Sequence, residues 1–198
     1  MRKFTSKVRL EKIKKAVYAR QHDLMVVVEN VHDRHNVSAI YRSCDAVGAS
    51  RVSLLYYIEK MPKLSKVVSS SATKWVETER FTEIDACYES LRKEGFKIYA
   101  SMLDENAKPL YDLDLTEKVA LVMGNEHRGV SEEAAKKADA TYYIPMMGMI
   151  QSLNVSVANA VSLYEAYRQR KNKGMYEDNG LTEEENETVV DNWCEKKK

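Results

Sequence analysis

Apolar residues along this chain switch between a helical spacing and short continuous runs. Near the amino terminus they recur every three or four positions, which predicts an amphipathic helix over residues 6–20 with a basic outer face. The run at 24–29 is short, apolar and β-branched, as in a buried strand. Asn36 is typical of a helix cap, and we expect the helix that it begins to end at Gly48.

The same alternation continues along the rest of the chain. Further strands are predicted at 51–58, 75–81, 97–102, 119–123 and 141–144. Helices are predicted at 82–94, after Ser131 and at 154–171, and a loop is predicted at 59–74. Strands that alternate with helices indicate an α/β fold with a mostly parallel sheet flanked by helices.

Three loops are expected to meet at one edge of this sheet. They follow the strands that end near residues 29, 123 and 144, and the carboxyl ends of parallel strands share an edge. Ligands of such sheets bind at that edge. We therefore expect the functional residues to lie in these three loops.

The loop from Ile144 to Ala158 carries the most information. It turns at Pro145 and Gly148 and then places small polar residues where a helix begins. The first backbone N–H groups of a helix lack partners, so such a loop can seat a polar ligand. Its methionines are expected either in the core or in a flexible apolar pocket wall.

The other two loops also allow ordinary structural roles. Gly124 and Gly129 bound a turn in which the backbone can approach a ligand or adopt a positive φ, but a tight surface turn has the same sequence. Asn36 and Arg42 fall on one predicted helix, from which both could reach the functional edge of the sheet. The structural alternative is that Asn36 only caps the helix and Arg42 forms an ion pair with Asp45.

Composition restricts the class of protein. A chain of 198 residues with 44% hydrophobic residues fits one globular domain with extensions. Three cysteines without a Cys-x-x-Cys pair predict no disulfides, and His32 with His35 but no third ligand predicts no metal. No apolar run could span a bilayer and no secretory signal is visible, so we expect a cytoplasmic protein.

Charge is distributed unevenly although the net charge is only +1. Residues 1–20 carry a net charge of +7, and residues 177–198 carry a net charge of −5. The basic segment suggests an anionic partner such as nucleic acid, while a solvated helix face or pairing with the acidic tail are the alternatives. Lys74 beside Trp75 suits RNA, although a buried Trp that anchors the loop fits equally well.

The order and spacing of these segments resemble the SpoU/TrmH family of SPOUT methyltransferases nearly from end to end. The segments that carry the resemblance are Glu29-Asn30-Val31-His32, Ser38-Ala39-Ile40-x-Arg42, Lys74-Trp75-Val76, Gly129-Val130-Ser131, Ile144-Pro145-Met146 and Gln151-Ser152-Leu153-Asn154. The resemblance implies a methyltransferase domain at 23–172, helical extensions at 1–22 and 173–198, a C-terminal trefoil knot and a homodimer.

An activity is also implied by the resemblance. It is the S-adenosylmethionine-dependent methylation of the ribose 2′-hydroxyl of guanosine 18 in the D-loop of tRNA. A ribosomal RNA methyltransferase of the same family and a non-catalytic RNA-binding module are the alternatives. Several ribosomal RNA methyltransferases of the family carry an additional amino-terminal domain, and this sequence shows none. We therefore expect tRNA as the substrate.

Site residues follow from the matching positions. The catalytic set that the resemblance implies is Arg42, Asn36, Glu126, Ser152 and Asn154. Arg42 would act as the general base, or would position a phosphate and stabilise alkoxide charge. The donor pocket is expected to include Ser101, Met123, Gly124, Ile144, Met146 and Leu153. The residues expected to bind RNA are Arg9, Arg20, Lys74 and Arg168. The loop Ser69–Thr73 departs from the family pattern, which leaves RNA selectivity open.

Overall fold

Residues 5–61 and 72–196 are described by the computed structural model. Their strands are β1 (Gln21–Glu29), β2 (Ala49–Leu55), β3 (Glu77–Phe81), β4 (Lys97–Ser101), β5 (Lys108–Pro109), β6 (Val119–Met123) and β7 (Ala140–Tyr143). Their helices are α1 (Lys7–Tyr18), α2 (Arg34–Val47), α3 (Ile84–Lys93), α4 (Glu132–Lys137), α5 (Val155–Asn172) and α6 (Glu183–Glu195). Strands and helices alternate as predicted, and β5 and α6 are additional elements that the periodicity did not indicate.

The seven described strands form one sheet in the order β3-β2-β1-β6-β4-β7-β5, with every neighbouring pair parallel. β1 lies inside the sheet and sends Val26 and Val28 into one core and Met25 and Val27 into the other. Burial on both faces explains its continuous apolar run. The predicted parallel α/β sheet is confirmed. The knot and the domain boundaries stay predictions, and the departure at Ser69–Thr73 falls mostly outside the described residues.

Helix α2 begins earlier than predicted. Its N-cap is Asp33, not Asn36, because the Asp33 carboxylate accepts a hydrogen bond from the backbone N–H of His35 at 2.8 Å. Asn36 therefore lies in the first turn, where its side chain is available to other partners. The predicted end at Gly48 is confirmed: its φ is 82°, and a Cβ there would lie 2.7 Å from the carbonyl oxygen of Ala19.

The basic amino-terminal helix packs against the acidic tail. A small apolar core between α1 and α6 contains Ile13, Val17, Val190 and Trp193. Lys14 pairs with Glu187 at 2.8 Å, and the Tyr18 hydroxyl donates to Glu183 at 2.6 Å. Pairing with the acidic tail, given above as an alternative for the basic segment, is therefore observed. The expectation that α1 presents an unpaired basic face is wrong in part, because its acidic partners are distant in sequence but adjacent in space.

Arg20 does not face solvent, so its predicted place on the RNA surface is wrong. Its side chain is 3% exposed, and the guanidinium donates to the Asp45 carboxylate at 2.5 Å and to the carbonyl oxygens of Ala49 and Trp75 at 3.1 Å each. It also lies 4.9 Å from the centre of the Trp193 ring, which packs on Trp75. Arg20 and Trp75 therefore connect α1, α2 and the tail, and Trp75 is partly buried in a structural role against Trp193.

We expect Arg20→Ala to lower the free energy of unfolding by about 3 kcal/mol, because it removes a buried cation from a carboxylate and two carbonyl groups. Lys12→Ala, at an exposed position of α1, is the matched control and should change that free energy by less than about 0.5 kcal/mol. Chemical denaturation measures both. Equal unfolding midpoints for the two variants would contradict the structural role of Arg20.

Candidate active site

The loops that follow β1, β6 and β7 converge at the carboxyl edge of the sheet, beside a cavity of about 330 Å³. All six residues predicted to bind the methyl donor line this cavity, namely Ser101, Met123, Gly124, Ile144, Met146 and Leu153. Glu126 and Ser152 of the predicted catalytic set line it as well. Asn36, Asn154 and Arg42 are not among the described residues in its wall.

Glu126 joins the loop after β6 to the start of α2. Its carboxylate accepts hydrogen bonds from the backbone N–H groups of His32 and Asp33 and from Asn36 Nδ2, each at 3.0 Å. Burial opposes ionisation, but these hydrogen bonds outweigh it and hold the pKa of Glu126 below its ordinary value. A negative charge is thus fixed at the amino end of α2, where the helix dipole favours it.

Asn36 extends this connection to the third loop. Its Oδ1 accepts a hydrogen bond from Asn154 Nδ2 at 3.1 Å. Asn154 is the N-cap of α5, and its own Oδ1 accepts from the backbone N–H and the hydroxyl of Ser156 at 2.9 and 2.6 Å. A continuous chain of hydrogen bonds therefore passes from Glu126 through Asn36 to Asn154 and joins all three loops.

Arg42 stands apart from this chain of hydrogen bonds. It is exposed on α2 and makes no hydrogen bond or ion pair within residues 5–61 and 72–196. The alternative Arg42–Asp45 ion pair is wrong, because Asp45 pairs with Arg20. The structure therefore brings four of the five predicted catalytic residues to one edge of the sheet and leaves Arg42 outside the cavity wall.

Gly124 allows two backbone segments to touch. Asn125 and Gly129 exchange backbone hydrogen bonds at 2.8 and 2.9 Å, so the segment folds back on itself. A Cβ at Gly124 would lie 2.1 Å from the Gly129 carbonyl carbon and from the Val130 nitrogen. The segment is the tight turn offered as the structural alternative, and the same turn forms part of the cavity wall.

Asn30 and Asn125, which were not predicted as site residues, connect these loops by hydrogen bonds. Asn30 has a φ of 49°, in the left-handed region that Asn adopts more readily than most residues. Its Oδ1 accepts the backbone N–H groups of Tyr57, Ile58 and Glu59 at 3.1 Å each. Its carbonyl oxygen accepts from Asn125 Nδ2 at 2.8 Å. The available signals were the position of Asn30 directly after an apolar strand and its place in the segment Glu29-Asn30-Val31-His32.

The remaining predicted features take different places. Met146 lines the cavity, but Met147 and Met149 are 97% and 99% exposed and belong to no core. Arg168 pairs with Glu165 at 2.7 Å and stays largely exposed. In the described part of the chain, no group of three or more His, Cys, Asp or Glu side chains could hold a metal ion. No helix there has the length and apolar character that a membrane span requires.

We expect Gly124→Ala to destabilise the protein by about 3 kcal/mol or more, because the new methyl group would overlap two backbone atoms of a packed turn. Gly148→Ala is the matched control, since a Cβ there would meet no atom within 4 Å. Thermal denaturation of the two variants tests this difference. A Gly124→Ala protein as stable as the control would show that the turn can open without cost.

Comparison with known proteins agrees with this geometry. Residues 23–164 match the family model described as the SpoU rRNA Methylase family. The chain is 41% identical over 189 residues to the tRNA (guanosine(18)-2'-O)-methyltransferase of Aquifex aeolicus (strain VF5), a match that covers 94% of this chain and 88% of that protein.

Solved structures show the same likeness. The crystal structure of the A. aeolicus TrmH/SpoU tRNA modifying enzyme matches with a TM-score of 0.87 and 39% identity, over 95% of each chain. The SpoU methyltransferase AviRb from Streptomyces viridochromogenes, in complex with the cofactor AdoMet, matches with a TM-score of 0.68 and 28% identity, over 77% of this chain and 59% of that one. The chain carrying these three connected loops belongs to the SpoU rRNA methylase family.

Proposed function

We propose that this protein transfers a methyl group from S-adenosylmethionine to the ribose 2′-hydroxyl of guanosine 18 in the D-loop of tRNA. The observation that carries the proposal is the likeness to an enzyme named for this reaction over 94% of the chain. The hydrogen-bonded Glu126, Asn36 and Asn154 beside the cavity favour an enzyme over a non-catalytic binding module.

The cavity has the chemistry that this methyl donor requires. Met123, Ile144 and Leu153 provide apolar walls, and the turn at 124–129 brings backbone into the wall beside them. S-adenosylmethionine would supply a methyl group that is already activated on a sulfonium centre. These residues therefore need to bind and orient the donor, while other groups act on the ribose.

The chain's own task is to place a ribose oxygen in line with the methyl group and to assist the loss of its proton. Ser152 is exposed in the cavity wall, where its hydroxyl can hydrogen-bond an incoming ribose. Arg42 is exposed on α2, and a guanidinium is ordinarily protonated. We therefore assign Arg42 to orienting a phosphate and stabilising the developing alkoxide charge, rather than to general base catalysis.

A homodimer in the cytoplasm is the assembly that this proposal implies. Helix α5 exposes Val157 and Tyr164, at 47% and 54%, and carries Ala158 and Ala160, whose small side chains permit close helix packing. Helix α2 packs beside α5, so the exposed Arg42 on α2 lies on the element next to this proposed interface. Light scattering should give twice the 22.7 kDa mass of the chain.

The proposed tRNA surface differs from the predicted one at α1. Arg20 is buried and is removed from it, and Arg9 donates to the carbonyl oxygen of Lys196 at 2.8 Å and is partly covered. The exposed cations of α1 are Lys7, Lys12 and Lys15. We propose that these three, with Lys74 and Arg168, bind tRNA phosphates.

Incubation with the methyl donor and an unmodified tRNA transcript should yield 2′-O-methylguanosine at position 18. Nucleoside mass spectrometry identifies the product, and nuclease mapping locates it. Ribosomal RNA in a parallel reaction tests the alternative substrate. Methylation confined to ribosomal RNA, or found on a base, would refute the proposed function.

Arg42→Ala should reduce turnover by about 10³-fold, since it removes a cation that stabilises charge developing in the transition state. Donor affinity, measured by calorimetry, should be unchanged because Arg42 is outside the cavity wall. Arg80→Ala, at an exposed position of the edge strand β3, is the control. Turnover of Arg42→Ala within about twofold of the parent would remove Arg42 from the mechanism.

A further inference from the structure

Arg128 is the one lysine or arginine among the described residues that line the cavity. Its side chain is 53% exposed, and its Nη2 donates to Glu59 Oε1 at 2.6 Å. Glu59 belongs to the segment that follows β2. The guanidinium therefore sits at the rim of the cavity, bridging from the turn at 124–129 to a different loop. No step of the proposed mechanism uses this ion pair.

Both ends of the ion pair rest on fixed backbone. The backbone N–H of Arg128 donates to Asn125 Oδ1 at 3.2 Å, and that of Glu59 donates to Asn30 Oδ1 at 3.1 Å. Asn125 and Asn30 are themselves joined by the 2.8 Å hydrogen bond from Asn125 Nδ2 to the Asn30 carbonyl oxygen. The backbone at both ends is therefore held, and the ion pair with Glu59 restricts the guanidinium, which lowers the entropic cost of binding a ligand there.

Arg128 keeps hydrogen-bonding capacity for an anionic ligand at the rim, although its ion pair with Glu59 offsets its charge. The contact with Glu59 uses one nitrogen of Arg128, and a guanidinium carries five N–H donors, so donors remain for a second anion. The second oxygen of Glu59 is paired with the His32 ring at 3.3 Å. The Glu126 carboxylate is occupied by three donors of its own. Neither acid presents an unpaired oxygen to an incoming phosphate.

We propose that Arg128 binds a backbone phosphate beside the target ribose, and that Glu59 holds the guanidinium in position for it. This inference rests on the proposed RNA ribose methylation, since every ribose within an RNA strand is flanked by phosphates. The planar fork of Arg128 matches a phosphate, and phosphate contacts fix the register of a nucleic acid without reading its sequence. Arg128 is thus a positioning residue for the RNA, separate from Arg42 and from the donor-binding residues.

The structural alternative is that the ion pair only fastens two loops together. Both partners are then equally necessary, so removal of either one has the same effect. A phosphate contact makes a different demand, because the cation at position 128 makes the contact itself and the acid at position 59 only positions that cation. Comparison of Arg128→Ala with Glu59→Gln therefore separates the two roles.

The test measures tRNA binding by the full-length protein over a series of salt concentrations, in the absence of the methyl donor. Arg128→Ala should weaken binding about tenfold and reduce the log–log salt slope by about one unit or slightly less, since one phosphate contact is lost. Glu59→Gln and Arg128→Lys keep a cation and should retain the parent slope, with smaller losses of affinity. Lys136→Ala, an exposed cation on α4 away from the cavity, is the control.

Donor affinity and thermal stability are also measured for each variant, and methylation of tRNA is measured for the parent protein. Unchanged donor affinity in Arg128→Ala, with the reduced slope, supports the proposal. Equal losses of thermal stability in Arg128→Ala and Glu59→Gln, with both log–log salt slopes at the parent value, would overturn it. The ion pair would then only connect the two loops. A parent protein that methylates tRNA while Arg128→Ala keeps the parent slope refutes this inference alone, whereas a parent inactive on tRNA refutes the proposed function.

Discussion

The carboxylate of Glu126 is the group on which the arrangement of the candidate active site depends. It takes three hydrogen bonds from α2 and the residues before it, and through Asn36 it reaches the cap of α5. These elements come from three distant parts of the chain, so their relative positions are set at this one junction. Removal of the carboxylate would leave the buried amide of Asn36 without this acceptor and the exposed N–H groups of His32 and Asp33 with water alone, so the connection between the loops would be lost.

Asn30 imposes the second constraint. A parallel strand that ends at the ligand-binding edge must turn away at once, and Asn30 achieves this with a positive φ. The same residue accepts three backbone N–H groups from the segment after β2 and a fourth hydrogen bond from Asn125. The turn at 124–129 and the segment that holds Glu59 are therefore aligned through one side chain and its own carbonyl oxygen.

Features that depend on neighbouring residues could be predicted from the sequence. The parallel sheet, the stop at Gly48 and the cap at Asn154 each follow from periodicity or from a residue within one helical turn. Contacts between distant segments could not be predicted. Asp33 and Asn36 are both residues that commonly cap a helix. Asp33 is the cap in this structure, where Glu126, from a distant part of the chain, accepts a hydrogen bond from the Asp33 backbone N–H. The burial of Arg20 likewise depends on partners in α2 and the tail.

Glu126 also defines the pH range in which this junction is intact. Burial works against its charge, yet the hydrogen bonds from Asn36, His32 and Asp33 hold its pKa below the ordinary value of 4.5. A carboxyl group of this kind stabilises the fold at every pH above its unfolded-state pKa, and the contribution is lost as the pH falls through the folded-state value. The junction is therefore complete at neutral pH. A change of methylation rate with pH near neutrality therefore does not arise from protonation of Glu126.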